Sequence, residues 1–229
     1  MATEAAHGHD QQWLVHHQYE DYEQQSESYI VGMWAFLVTE IMFFGALFLA
    51  YVLYRWQYQP EFYLIHKDLD WVMGGINTTV LLFSSLAVAL AVRCAMLQDR
   101  KGVLGWLTVT QLCAAGFLVI KYFEWSHKYH KGVWLGEGFK WGEGVTKYAQ
   151  DVSANTAQLF YSLYYCMTGL HGFHVVIGII VIGILMRMWF KNNPLVTKDY
   201  VPTELVGLYW HFVDLVWIFL YPLFYLMPR

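Results

Sequence analysis

The sequence predicts an all-α protein, a polytopic membrane helix bundle with five transmembrane helices. Three observations predict it. First, 57% of the 229 residues are hydrophobic and only 14% are charged, whereas a soluble domain carries about 25% charge. Second, the apolar residues gather into five runs, each close to the roughly 20 residues that cross a bilayer. Third, proline enters these runs only at Pro222, and lipid obliges each run to satisfy its backbone within a helix.

Residues 1–28 read as a polar N-terminal tail, rich in His, Gln and Glu and free of Lys and Arg. No cleavable signal peptide is expected there. His7, His9, His16 and His17 could take up adventitious metal, but a solvated tail explains them better. Residues 29–229 read as the membrane domain. Its spans run roughly Tyr29–Tyr54, Val72–Met96, Leu104–Tyr122, Ala157–Arg187 and Leu205–Met227. The loop 125–156 is rich in Gly and Trp and is expected to form an ordered cap at the membrane interface. Cys94, Cys113 and Cys166 lie far apart in apolar runs and lack metal-ligand spacing, so they read as packing residues. The net charge of −4, without a basic block, excludes nucleic acid as a partner class.

Five spans place the termini on opposite sides. The side holding the tail carries Arg93, Arg100, Lys101, Arg187, Lys191 and Lys198 in short loops. The other side carries Arg55 and Lys67, with Lys128, Lys131, Lys140 and Lys147 in the long loop, which counts less. The positive-inside rule therefore favours a cytoplasmic N-terminus.

Function is carried by ionisable residues inside the spans, because each costs about 2.5–3.5 kcal/mol at mid-membrane unless it faces a partner or a cavity. His211 and Asp214 lie three residues apart in the fifth span and share one helix face. Glu40 lies near the middle of the first span, where desolvation favours the neutral acid. It is read as a buried carboxylate with a proton-related or structural role, hydrogen-bonded to a histidine. Asn77, Thr78 and Thr79 read as interhelical hydrogen-bonding residues. Lys121, Glu124, His127 and Lys128 close the third span and read as a satisfied interfacial cluster, in which Glu124 and Lys128 form an i,i+4 pair placed where lysine can snorkel. His171 and His174 stand one turn apart in the fourth span, among Gly169, Gly172 and Gly178, which would let another helix approach.

Haem ligation by these histidines is the sharper alternative. Counted at 1.5 Å per residue, His211 stands about 9 Å from its membrane edge and His174 about 20 Å from the same edge. The two depths disagree by about two turns, and no further ligand completes a zinc site. No metal site is expected, and His174 is the first choice of partner for Glu40.

Four passages carry a family resemblance: Gly32-Met-Trp-Ala-Phe-Leu-Val-Thr-Glu-Ile-Met-Phe-Phe-Gly, Asn77-Thr-Thr-Val-Leu-Leu, Thr168-Gly-Leu-His-Gly-Phe-His-Val-Val-Ile-Gly, and Tyr209-Trp-His-Phe-Val-Asp-Leu-Val-Trp-Ile-Phe-Leu-Tyr. With Glu124-Trp-Ser-His they resemble subunit III of the haem–copper oxidases, most closely bacterial cytochrome c oxidase subunit III. The resemblance covers essentially residues 15–229 and matches the five-helix form, without the first two helices of the seven-helix form. It implies a chain with no catalytic residue and no redox centre of its own. Haem and copper are then held by partner subunits. Subunit I is the main contact, with subunit II and other respiratory subunits beside it. The resemblance also implies bound phospholipid, for which Arg187, Lys191 and Lys198 are the candidate contacts. It assigns the family's buried carboxylate to Glu40 and its paired histidines to His171 and His174. The implied location is the bacterial inner membrane, with the N-terminal side cytoplasmic.

Two alternatives stand beside this reading. One is the corresponding accessory subunit of a quinol oxidase or nitric oxide reductase. Glu40 rather than Asp, and the Glu23-Gln-Gln segment, favour the cytochrome c branch. The other, of a different class, is a stand-alone b-type membrane cytochrome using His171, His174 or His211.

Overall fold

The computed structural model of the protein describes residues 15, 17–134, 136, 139–142, 146 and 149–226. His7, His9 and His16 lie outside the described residues, and His17 is exposed. Seven helices follow one another among the described residues: α1 (Tyr22–Gln57), α2 (Gln59–His66), α3 (Trp71–Met96), α4 (Arg100–His130), α5 (Ala154–Phe190), α6 (Pro194–Thr197) and α7 (Val201–Tyr225). Five of them, α1, α3, α4, α5 and α7, are long and apolar enough to cross a membrane.

Capping side chains, rather than hydrophobic edges, set where four of the five spans begin. Asp21 accepts from the Gln24 backbone N–H at 2.8 Å, so α1 starts at Tyr22 and residues 22–28, read as tail, form its first turns. Asp70 caps α3 by accepting from Val72 and Met73. Asp99 does the same for α4 through Lys101, and Ser153 for α5 through Thr156. Each cap satisfies an N–H that the helix itself leaves unpaired. At its other end α4 continues to His130, so residues 125–130 are helix and the connecting loop is 131–153. Aromatic residues of that loop contact the bundle. Trp134 lies against the Tyr165 ring at 4.9 Å, and the Trp141 indole donates to the Val152 carbonyl at 3.0 Å. Lys147, read as part of this loop, lies outside the described residues.

The bundle is arranged around α7. Half of its most apolar stretch is buried, against 17% for α1. α7 touches α1, α3, α5 and α6, and α3 and α4 pack as an antiparallel hairpin beside it. One close approach locks α5 onto α7: a Cβ on Gly178 would stand 2.6 Å from the Trp210 ring. A second locks α3 onto α7, where Gly74 lies under Tyr221 and Tyr225. Gly172, expected to make a similar contact, instead faces open space, and Gly169 approaches only Trp125. Indole hydrogen bonds cross the same interfaces. Trp217 donates to Thr78 at 3.1 Å, Trp210 to Ser84 at 3.0 Å and Trp189 to Thr203 at 3.1 Å. By contrast α1 is peripheral. Its buried apolar residues, Leu37, Phe44 and Tyr51, recur every seventh position and form one narrow seam.

The amphipathic α2 is pinned at its end by His66, which is buried. The imidazole Nδ1 stands 2.5 Å from the Phe224 carbonyl, and Nε2 stands 2.7 Å from the Tyr51 hydroxyl. A carbonyl only accepts, so Nδ1 carries the hydrogen and Nε2 accepts from Tyr51. The neutral ring is thus satisfied at both nitrogens. Burial lowers its pKa from 6.5 to about 4. The Phe224 hydrogen bond acts against this, and nearby Arg55 lowers it further. The unfolded state therefore takes up a proton at higher pH than the folded state does. The stabilisation is full above pH 6.5 and is lost as pH falls through 4, amounting to about 3 kcal/mol over that window. Thermal midpoints of the wild-type chain and of His66→Asn should converge between pH 7 and pH 4. A constant difference across that range would show that His66 does not titrate on undocking.

Candidate functional site

Glu40 of α1 and His174 of α5 meet across the first-helix seam. Glu40 Oε2 lies 3.1 Å from His174 Nε2, and the side chains are 19% and 12% exposed. Phe44 packs edge-on to the imidazole at 5.2 Å and shields it. The proton count of the pair follows from His174 Nδ1, which is 2.8 Å from the Leu170 carbonyl and so must donate. A neutral His174 then offers only a lone pair at Nε2, which requires a proton on Glu40. A charged His174 offers an N–H at Nε2 that either a carboxylate or the carbonyl of a neutral acid can accept. In each case one hydrogen lies along the Glu40–His174 contact. The sequence expectation that His174 is the partner of Glu40 agrees with this geometry.

The neighbouring histidine behaves differently. His171 has no solvent exposure and packs between Phe117 and Trp217, with ring centroids at 5.5 and 5.0 Å. Neither ring nitrogen finds a hydrogen-bond partner among the described residues. His171 and His174 are therefore adjacent along the helix but face separate environments, one the core and the other α1.

His211 and Asp214 both turn toward the Ser84-Ser85 step of α3, as their shared face predicts. His211 Nδ1 lies 2.6 Å from Ser85 Oγ. Asp214 is 2% exposed, with Oδ2 at 3.5 Å from Ser84 Oγ. The Ser84 hydroxyl has a much better acceptor in the Leu81 carbonyl at 2.7 Å, so the Asp214 contact is weak. Asp214 Oδ1 finds no partner among the described residues. Asn77 is fully buried and likewise makes no side-chain bond among them. Its neighbours Thr78 and Thr79 turn their hydroxyls back to the Gly74 and Gly75 carbonyls. Of the three residues expected to bond between helices, only Thr78 does so, by accepting from Trp217.

The expected depth mismatch between His174 and His211 needs correction. The Gly178–Trp210 contact and the Tyr209 hydroxyl bond to the His174 carbonyl set the register of α5 on α7. In that register Val201 stands level with Arg187. The fifth span starts at Val201 rather than Leu205, and the two histidines differ by about one turn, or 4.5 Å. What separates them is direction, since His174 faces α1 and His211 faces α3. Among the described residues no group of three His, Cys, Asp or Glu side chains converges on one point.

A second polar centre lies at the end of α4. The buried face of this helix reads Val103, Leu107, Thr110, Ala114, Phe117, Lys121, Glu124 and Lys128. Glu124 accepts from Lys121 at 2.9 Å and from Lys128 at 2.7 Å. Tyr164 of α5 and Tyr225 of α7 each donate to it at 2.7 Å. The lysines do not snorkel, as the sequence expectation had it. Both are 7% exposed and turn inward, because the carboxylate and two phenols supply better partners than the interface does. Tyr164 and Tyr225 were not singled out from sequence. The stripe at three- and four-residue spacing, which continues from Phe117 to Lys121, Glu124 and Lys128, is the signal that marks the two lysines as inward. Arg187, Lys191 and Lys198 are exposed near the opposite membrane end.

Five apolar helices with polar groups turned inward define a multi-pass membrane protein of the helix-bundle class. Comparison with known proteins narrows the class. The family model for cytochrome c oxidase subunit III matches residues 127–228. The quinol oxidase subunit 3 of Bacillus spizizenii is 33% identical, over 90% of this chain and 91% of that one. The cytochrome c oxidase subunit 3 of Thermostichus vulcanus is 29% identical, over 87% and 88%. The heme-copper oxidase subunit I+III of Aeropyrum pernix is 29% identical over 86% of this chain, which spans 22% of that longer protein. The chain belongs to the subunit III family of the haem–copper oxidases.

Two outcomes test these centres. Glu124→Gln should leave two buried ammonium groups without an anion and cost about 3–5 kcal/mol, read as a lower thermal midpoint in detergent. Combining Glu124→Leu with Lys121→Met and Lys128→Met should cost less. A smaller loss for the single substitution than for the triple would refute the charge argument. At the other centre, a hydrophobic carbodiimide, which attacks protonated carboxyls, should label Glu40 near pH 7 and fail on Glu40→Gln. No labelling of the wild-type chain would place the proton of this contact on His174.

Proposed function

We propose that this chain is the non-catalytic subunit III of a proton-pumping cytochrome c oxidase of the aerobic respiratory chain. It stabilises subunit I, holds phospholipid and supports proton uptake. In this reading the complex is the oxidoreductase, and its haem and copper belong to partner subunits. Subunit I is the main contact and subunit II a further one. The chain lies in the bacterial inner membrane with its N-terminus in the cytoplasm.

The observation that carries the protonic part is the Glu40–His174 pair, which holds one hydrogen along its contact on a partly accessible seam. The structural part is supported by the outward face of α1, where Val31, Val38, Ile41 and Leu49 are exposed and apolar. A relative whose name joins subunits I and III in one chain supports subunit I as the neighbour. The exposed Arg187, Lys191 and Lys198 suit lipid phosphates at the opposite interface.

A quinol oxidase subunit III is the second reading, favoured by the Bacillus spizizenii relative. Copurification of a subunit with a dinuclear-copper domain decides for cytochrome c, and its absence decides for quinol.

Oxygen consumption against time and pH, with and without this chain, tests the main reading. Removing the chain should leave the haem spectrum of the core complex nearly intact and should let turnover begin. Turnover should then be slower at high pH, where proton supply limits, and should decay faster. Immediate loss of all activity with an altered haem spectrum would mean that the chain helps to build the redox centre.

A further inference from the structure

The end of α2 holds a hydrogen-bond arrangement that can exist in two forms. The last carbonyls of α7 have no partner within the helix, and two of them are met from outside. His66 Nδ1 donates to the Phe224 carbonyl at 2.5 Å, and the Tyr51 hydroxyl stands 3.1 Å from the Leu223 carbonyl. The same hydroxyl stands 2.7 Å from His66 Nε2. Tyr51 thus has one hydrogen and two acceptors to choose from. With a neutral ring, the hydrogen goes to Nε2. With a proton on Nε2, the ring donates to the Tyr51 oxygen, and Tyr51 turns its hydrogen to Leu223. Every N–H and O–H of the second form has an acceptor, and no heavy atom has to move.

The elements around the ring set how readily it takes that proton. Burial opposes the charge most and Arg55 of α1 opposes it further, while the Phe224 hydrogen bond favours it. α7 presents its carbonyl end, where a helix favours a cation. α5 presents the uncharged Phe160 ring, edge-on at 5.1 Å. On α2 and its turn the charges are engaged elsewhere. Glu61 accepts from the Ser153 backbone N–H at 3.1 Å, Lys67 lies over the Tyr63 ring at 4.8 Å, and Asp70 caps α3.

The ring belongs to a layer that α2 covers. Phe62 and Ile65 of α2 are fully buried. Phe62 packs on Phe160 at 5.2 Å, Phe160 on Phe224 at 6.0 Å, and Phe224 on Tyr164 at 5.4 Å. Tyr164 donates to Glu124, so an undocked α2 would open this layer toward the Glu124 cluster.

We propose that Tyr51 is a hydrogen-bond switch that lets His66 take up a proton while α2 stays docked over the end of α7. The switch keeps this end of the bundle covered in acid. A ring without the second arrangement would have to leave its site to hold the proton. The inference needs only the docked geometry, so its failure leaves the oxidase reading standing.

The test is hydrogen–deuterium exchange of the full chain in detergent, read on residues 59–66 from pH 7 to near pH 3 and corrected for intrinsic exchange rates. In the wild-type chain, protection should fall about 300-fold as pH drops from 6.5 to 4 and should then level off, because docked and undocked rings are both charged below that. In Tyr51→Phe the docked ring has no acceptor for its second hydrogen, and protection should go on falling about tenfold per pH unit. His66→Asn should show neither change. If Tyr51→Phe does not fold, nitrogen NMR of the histidine-labelled wild-type chain decides, with the His66 signals identified by their loss in His66→Asn. Both ring nitrogens should carry hydrogen near pH 3 while α2 remains protected. A neutral His66 ring in a protected α2 at that pH would overturn the proposal. So would a wild-type chain that goes on losing protection below pH 4, or a Tyr51→Phe chain that levels off as the wild type does.

Discussion

The carboxylate of Glu124 is the point to which three helices are tied. Its oxygens take two ammonium donors from α4 and one phenol each from α5 and α7. Taking one carboxylate out of water into lipid or protein interior is expensive, and a single lysine would repay that cost poorly. Four donors satisfy it, and because they come from three elements, they fix how far each helix stands along the others. The surplus positive charge is also accounted for. Lys121 lies over the Trp217 ring at 4.9 Å and Lys128 over the Tyr164 ring at 4.7 Å, where the ring faces attract cations. Lys128 also sits in the last turn of α4, whose carbonyl end favours positive charge.

From that anchor the register runs down α7. Tyr225 at the Glu124 level, Trp217 bonded to Thr78, Trp210 bonded to Ser84 and packed under Gly178, and Tyr209 bonded to the His174 carbonyl are successive steps on one helix. Each step joins a polar tip to a neighbouring helix while an aromatic body fills the seam. In lipid there is no hydrophobic drive between helices, so close packing and such hydrogen bonds must supply the specificity. This fits the burial of α7, whose most apolar stretch is half buried, more than that of any other span.

The five spans were legible because composition and run length state them directly. Their ends were not, because Asp21 and Asp99 act through single capping bonds that leave no mark on hydropathy. The Glu40–His174 pair was legible by counting depth along two spans. The same counting failed for His211, since it measured from Leu205 while the helix begins at Val201. Glu124 was read as part of an interfacial cluster, although the stripe from Val103 to Lys128 places it in the core. Its partners Tyr164 and Tyr225 lie on other helices, and nothing local in the sequence joins them to it.

The two ionic centres therefore do different work, and their surroundings decide which. Glu124 is held by four donors and is nearly sealed, so its charge is fixed and its role is architectural. Glu40 has one strong partner, on a peripheral helix joined to the bundle by a narrow seam, and both groups keep some exposure. A partly exposed pair gains less from its Coulomb attraction than a sealed one, so it fixes its helices less strongly than the Glu124 cluster does. Within this bundle, Glu40 and His174 meet through one partly accessible contact, and α7 holds the α5 backbone there through the Tyr209 hydroxyl bond to the His174 carbonyl.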